Sequence, residues 1–134
     1  MAKSLAERMA SAAADAVKLT DTYFCERLDY SEASVATIER LVDDIQYSMP
    51  GGATPANIDL LCRVWGAYVG EVFRRQVGGE WIDWEDQYGK AIAFQSGGVK
   101  VFPQDKVRKR IAGGPEHNLR DYYGAFRDQM SAGK

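Results

Sequence analysis

Apolar residues in the first segment recur at steps of three and four: Leu5, Met9, Ala12, Ala16, Leu19 and Tyr23. This period places them on one side of an α-helix and predicts an amphipathic N-terminal helix within residues 1–28. Ala10, Ala12, Ala13, Ala14 and Ala16 favour helix intrinsically and allow a neighbour close approach. After Asp29 and Ser31, either of which can cap a helix, Val35, Ile38, Leu41, Val42, Ile45 and Met49 make a second stripe. Pro50-Gly51-Gly52 stops it. Two such helices joined by a short turn are expected to pack antiparallel.

The next helix carries the clearest start signal, Thr54 as cap and Pro55 at the first position, and Gly78 as its stop. Ile58, Leu61, Cys62, Trp65, Val69, Val72 and Phe73 project to one wide face, with Leu60, Val64 and Tyr68 on an adjoining shoulder. Only a narrow polar strip remains, so this helix is predicted to be central and buried. Gly66 and Gly70 fall on one edge of it, where each costs about 1 kcal/mol of helix propensity relative to alanine. A backbone-close neighbour is the expected compensation.

Beyond Gly79 the period becomes two. Trp81-Ile82-Asp83-Trp84, Ala91-Ile92-Ala93-Phe94 and Val99-Lys100-Val101-Phe102 read as three short strands. Gly89 breaks the first pair and Ser96-Gly97-Gly98 closes the second, which predicts an antiparallel meander over 80–102. Val107 and Ile111 then mark a short helix ended by Gly113-Gly114-Pro115, and Leu119, Tyr122, Tyr123, Phe126 and Met130 mark a last one. The expected fold is α+β in one domain, 1–134: the Ala-rich helix over 1–28, two helices over 31–77, the meander, and two C-terminal helices over 104–130, all packed around a small three-stranded sheet.

Composition narrows the functional classes. At 134 residues, with 46% hydrophobic and 27% charged, the chain suits a folded globular domain. A net charge of −2 gives no overall basic field for nucleic acid. The two cysteines, Cys25 and Cys62, and the one histidine, His117, stand apart in sequence, so no zinc set assembles from them. No stretch approaches the roughly 18 apolar residues of a membrane span, and residues 1–30 lack a signal-peptide core, so a cytoplasmic protein with reduced thiols and no cofactor is expected.

The run Gly66-Ala67-Tyr68-Val69-Gly70-Glu71, followed by Gly78-Gly79-Glu80-Trp81, then Phe102-Pro103 and Tyr122-Tyr123, resembles small bacterial proteins built on a domain of unknown function. The resemblance spans about residues 28 to 126 and leaves the Ala-rich helix outside. Some proteins of this kind are similar to immunity proteins encoded beside secreted bacterial toxins. It implies no catalytic residues.

Five constellations carry candidate chemistry. Glu71 and Arg75, with the acid N-terminal at i,i+4, suit a structural ion pair, and the apolar shoulder predicts that Glu71 is buried. Glu80, Asp83, Glu85 and Asp86 form an acidic cluster whose spacing lacks the ligand ladder of a calcium loop, so a solvated sheet edge is the simpler reading. Lys106, Arg108, Lys109 and Arg110 crowd one short helix, where the helix dipole favours cations near the C-terminus. His117 follows Glu116, but adjacent helical residues do not face each other, and no nucleophile motif accompanies them. Trp81 and Trp84, three apart in a strand, point to opposite faces.

These features favour a non-enzymatic, cytoplasmic protein-binding module that meets a protein partner, a toxin in the most specific version. Its surface would combine an outward Trp81 or Trp84 with charge from Asp83 and Glu85 or from Lys106, Arg108, Lys109 and Arg110. Two alternatives stand beside it. One is a small-ligand-binding or hydrolytic enzyme with a cleft near Tyr68, Glu71 and His117; the other is a structural subunit that oligomerises through the Ala-rich helix.

Overall fold

Side-chain caps open the two longest helices. Ser4 Oγ accepts the Glu7 N–H while Glu7 Oε1 accepts the Ser4 N–H, a reciprocal capping box that starts α1 (Leu5–Phe24). Thr54 Oγ1 accepts the Asn57 N–H, and with Pro55 in the first turn it starts α4 (Pro55–Gln76). In the computed structural model, which describes residues 3–132, α2 (Glu32–Leu41), a 3-10 turn (Val42–Asp44) and α3 (Ile45–Ser48) lie between them. The strands β1 (Glu80–Asp86), β2 (Gly89–Ser96) and β3 (Val99–Val101) follow, then α5 (Pro103–Gly113), a 3-10 turn (Pro115–His117) and α6 (Leu119–Ala132). The ends of the expected domain, residues 1–2 and 133–134, lie outside the described residues.

The fold is α+β as the patterning predicts, with a three-stranded antiparallel meander in the order β1-β2-β3. Trp81 pairs with Phe94, and Phe94 with Val101, so one face of the sheet lines up its largest apolar side chains. That face meets α4, which is buried without interruption from Val64 to Phe73. Phe73 sits at the junction, within 4.5–5.8 Å of the rings of Phe94, Tyr122, Tyr123 and Phe126. Aromatic pairs at such separations add about 0.5–1.5 kcal/mol each beyond their buried area.

Two packing expectations need correction. Instead of pairing with the next helix, α1 docks on α4. Its alanine face does the docking: Ala13 and Ala16 are fully buried, Trp65 Nε1 donates to Thr20 Oγ1 at 3.0 Å, and Phe24 packs on the Trp65 ring. A helix apolar on nearly all sides needs cover from several elements, and small side chains let α1 approach closely. The face offered for oligomerisation is therefore occupied within the chain. The second stripe is also not one helix, because the backbone tightens into the 3-10 turn at Val42–Asp44.

Both α4 glycines are points of close approach, of two kinds. A Cβ added at Gly66 would strike the Gln104 backbone in the first turn of α5, and one at Gly70 would strike the six-membered ring of Trp81. The first is backbone against backbone as expected; the second is backbone against an indole.

Candidate functional site

Trp81 is buried at the start of β1, and its Nε1–H donates to Glu71 Oε2 at 3.0 Å. Glu71, 1% exposed, also accepts from Arg74, whose Nε reaches Oε2 at 2.9 Å and whose Nη2 reaches Oε1 at 3.0 Å. The expected partner Arg75 is not the one used. Positions i+3 and i+4 are both neighbours of Glu71 on the helix, and the 25–30 loop claims the second: the Arg75 guanidinium lies 3.5 Å from the centroid of Tyr30. Tyr30 holds a left-handed backbone (φ 63°), unusual for a bulky residue. Its N–H donates to Tyr68 Oη at 2.7 Å, its carbonyl accepts from Gln76 Nε2, and its ring packs tilted against that of Tyr68 at 4.8 Å.

Those contacts give Tyr68 and Glu71 partners within the fold and leave His117 apart from both. The Tyr68 hydroxyl donates to Ser34 Oγ at 2.6 Å, and burial pushes its pKa up, partly opposed by that bond. His117 lies against Gly113, and among the described residues no hydrogen bond links it to Tyr68 or Glu71. A groove of about 540 Å³ between α1, α4 and α5 is lined by none of the three. Among the described residues no group of three or more His, Cys, Asp or Glu side chains is placed to hold a metal ion.

The basic helix is also not the free patch its composition suggests. Arg110 is buried, donating through Nε to Glu39 Oε2 at 2.7 Å and through Nη2 to Asp43 Oδ1 at 3.3 Å. Glu39 Oε1 meanwhile accepts the Leu119 N–H at the start of α6. A partly satisfied buried guanidinium would be costly, so this set is structural, tying α2, α5 and α6 together. Arg108 pairs with Asp59 of α4 at 2.8 Å, Lys109 with Asp105 at 3.2 Å, and Lys106 Nζ stands 5.5 Å above the Tyr122 ring. Arg110 is accordingly removed from any partner surface. Nothing in the α2 pattern marked Glu39 as its acceptor; the only sequence cue was an acid within an apolar stripe.

The opposite face of the sheet is different. Ile82, Trp84, Ala91, Ala93 and Lys100 share it, by alternation and register. Trp84 is half-buried over this face, Lys100 Nζ lies 4.6 Å from its ring centroid, and its Nε1–H donates to Asp86 Oδ2 at 3.1 Å. Beside it Tyr88 at the hairpin tip is 87% exposed, and Glu80, Asp83, Glu85 and Asp86 all reach solvent. Of the two predicted tryptophans, Trp84 and not Trp81 is the outward one.

No helix among the described residues is long and apolar enough to cross a membrane. Residues 48–123, more than half of the chain, match the family described as a domain of unknown function (DUF3806), and the chain belongs to that family. The match begins just before α4 and reaches into α6, so α1 and α2 lie outside it. No curated protein and no solved structure matches the chain.

Proposed function

We propose that this member of the DUF3806 family is a non-enzymatic protein-binding module that meets its partner with the outer face of the β-meander. The observation that carries this reading is Trp84, held half-exposed under Lys100 and next to the exposed Tyr88. An aromatic anchor ringed by charge supplies desolvation energy at its centre and steering at its rim. On that face the exposed Glu80 and Asp86 outnumber Lys100, so the complementary partner presents a basic face. A toxin neutralised in the cytoplasm is the most specific form of such a partner, supported by the resemblance to immunity proteins.

The test uses the intact chain as bait in its native cells, with Trp84→Ala, Trp84→Phe and Glu80→Lys/Asp86→Lys variants. The expected result is a partner captured by wild type, retained in part by Trp84→Phe and lost with the other two. Because Trp65 and Trp81 are buried, acrylamide quenching reports chiefly on Trp84 and should fall when the purified partner is added. A partner held equally by all variants, with unchanged quenching, refutes this surface.

A further inference from the structure

A groove of about 540 Å³ lies between α1, α4, α5 and the middle of β2, away from the outer sheet face. Its floor is apolar: Met9, Ala12 and Cys62 are buried there and Ile92 is half-buried. Burial pushes the Cys62 thiol up, which agrees with a dry floor. The volume lies in the range of roughly 300–1,000 Å³ typical of small-molecule sites, and apolar walls with a few polar groups are their usual make-up.

The rim has the opposite character. Lys3, Arg8 and Arg63 line the groove, and among the described residues none of them has a carboxylate within ion-pair distance. Lys3 Nζ has only Ser11 Oγ, at 3.4 Å. The other lining cation, Arg108, is neutralised by Asp59, and Asp105 by Lys109, which leaves Asp15 as the unpaired acid. Positive charge is thus in surplus here, in a chain whose net charge is −2. The first turn of α5, which borders the groove through Gln104 and Asp105, has no side-chain cap, so the positive end of that helix adds to the field.

We infer that this groove binds a small organic anion, a carboxylate or phosphate head joined to an apolar body. The head is held by Arg8 and Arg63, from helices on two sides, and the body lies on Met9, Ala12, Cys62 and Ile92. Guanidinium groups are suited to both heads because their planar fork matches either oxygen pair. The site is separate from the Trp84 face and does not depend on it.

Calorimetric titration of the full chain with octanoate, octyl phosphate, octanol and octylammonium tests the assignment. Octanoate, octyl phosphate or both should bind, the better head identifying the class, with octanol and octylammonium weaker by at least about tenfold. Arg8→Gln and Arg63→Gln, both at exposed positions, should each lower the affinity of the bound anion about tenfold, while Lys90→Gln on the distant hairpin leaves it unchanged. In a Cys25→Ser background, saturating anion should slow alkylation of Cys62 by iodoacetamide, which locates the apolar body on the floor. The inference is overturned if neither anion binds, if octanol matches the anions, if the arginine variants bind like wild type, or if Cys62 alkylation is indifferent to ligand.

Discussion

Trp81 and Trp84 share a strand, a side chain and an indole N–H that donates to a carboxylate, yet one belongs to the core and the other to the surface. Strand alternation sends them to opposite faces, and what lies across each face sets the value of the same hydrogen bond. Behind Trp81 the acceptor Glu71 is buried, so a lost partner leaves a desolvated charge short of a donor. Beyond Trp84 the acceptor Asp86 is exposed, and water replaces whatever is removed. Burial, more than bond geometry, separates a structural tryptophan from one free to meet a partner.

The largest effect expected on the inner side comes from Trp81→Ala, which empties the space against Gly70 and Phe94 and should cost about 3–5 kcal/mol in urea unfolding. A loss under about 1 kcal/mol would erase the contrast between the two faces. Next comes the acceptor. Glu71→Gln should cost about 1–3 kcal/mol, because the Arg74 fork and the Trp81 N–H lose a charged acceptor. Asp86→Asn should stay within about 0.5 kcal/mol, as exposed substitutions do. Arg74 is itself 45% exposed, so Arg74→Ala is expected to fall between the two.

The pH dependence gives a third test of the inner face. Among the described residues the buried hydroxyls of Tyr122 and Tyr123, packed around Phe73, have no partner in hydrogen-bond geometry, and burial, helped at Tyr123 by the Glu32 carboxylate, pushes both well above the ordinary tyrosine value. The folded chain keeps these protons while the unfolded chain releases them above about pH 10. Their contribution is therefore fully present below that pH and is lost as pH rises further. Thermal melts should show an alkaline decline that Tyr122→Phe and Tyr123→Phe each flatten, with little or no loss at pH 7, since no hydrogen bond is removed. The smallest effect belongs to the outer face. Trp84→Ala should change stability by less than about 1 kcal/mol, leave the alkaline slope intact and remove most acrylamide-accessible fluorescence.

Local signals carried much of the architecture. The cap at Thr54, the stop at Gly78, the Ser96-Gly97-Gly98 hairpin and the change of period at Gly79 are backbone requirements of neighbouring residues, so they can be read without knowing the fold. The same holds for the buried shoulder bearing Glu71, where apolar neighbours one turn away forecast its environment. The choice of Arg74 over Arg75 could not be read, because both positions satisfy helix geometry and Tyr30, far off in sequence, decided between them. Arg110 looked like one of four surface cations for a similar reason: its acceptors, Glu39 and Asp43, come from α2 and the 3-10 turn after it, about seventy residues away. The groove was invisible as well, since Arg8, Arg63 and Ile92 belong to three elements with no shared motif.

By itself, then, the sequence determined the α+β class, the buried centre at α4, the meander and the opposed directions of its two strand tryptophans, because periodicity and turn chemistry act between residues a few positions apart. Only the tertiary structure decided that α1 covers α4, that Trp81 rather than Trp84 meets Glu71, that Arg110 is interior, and that three unpaired cations surround an apolar floor. These outcomes depend on which distant segments compete for the same side chain or the same patch of apolar surface, and that competition is resolved by packing the whole chain at once.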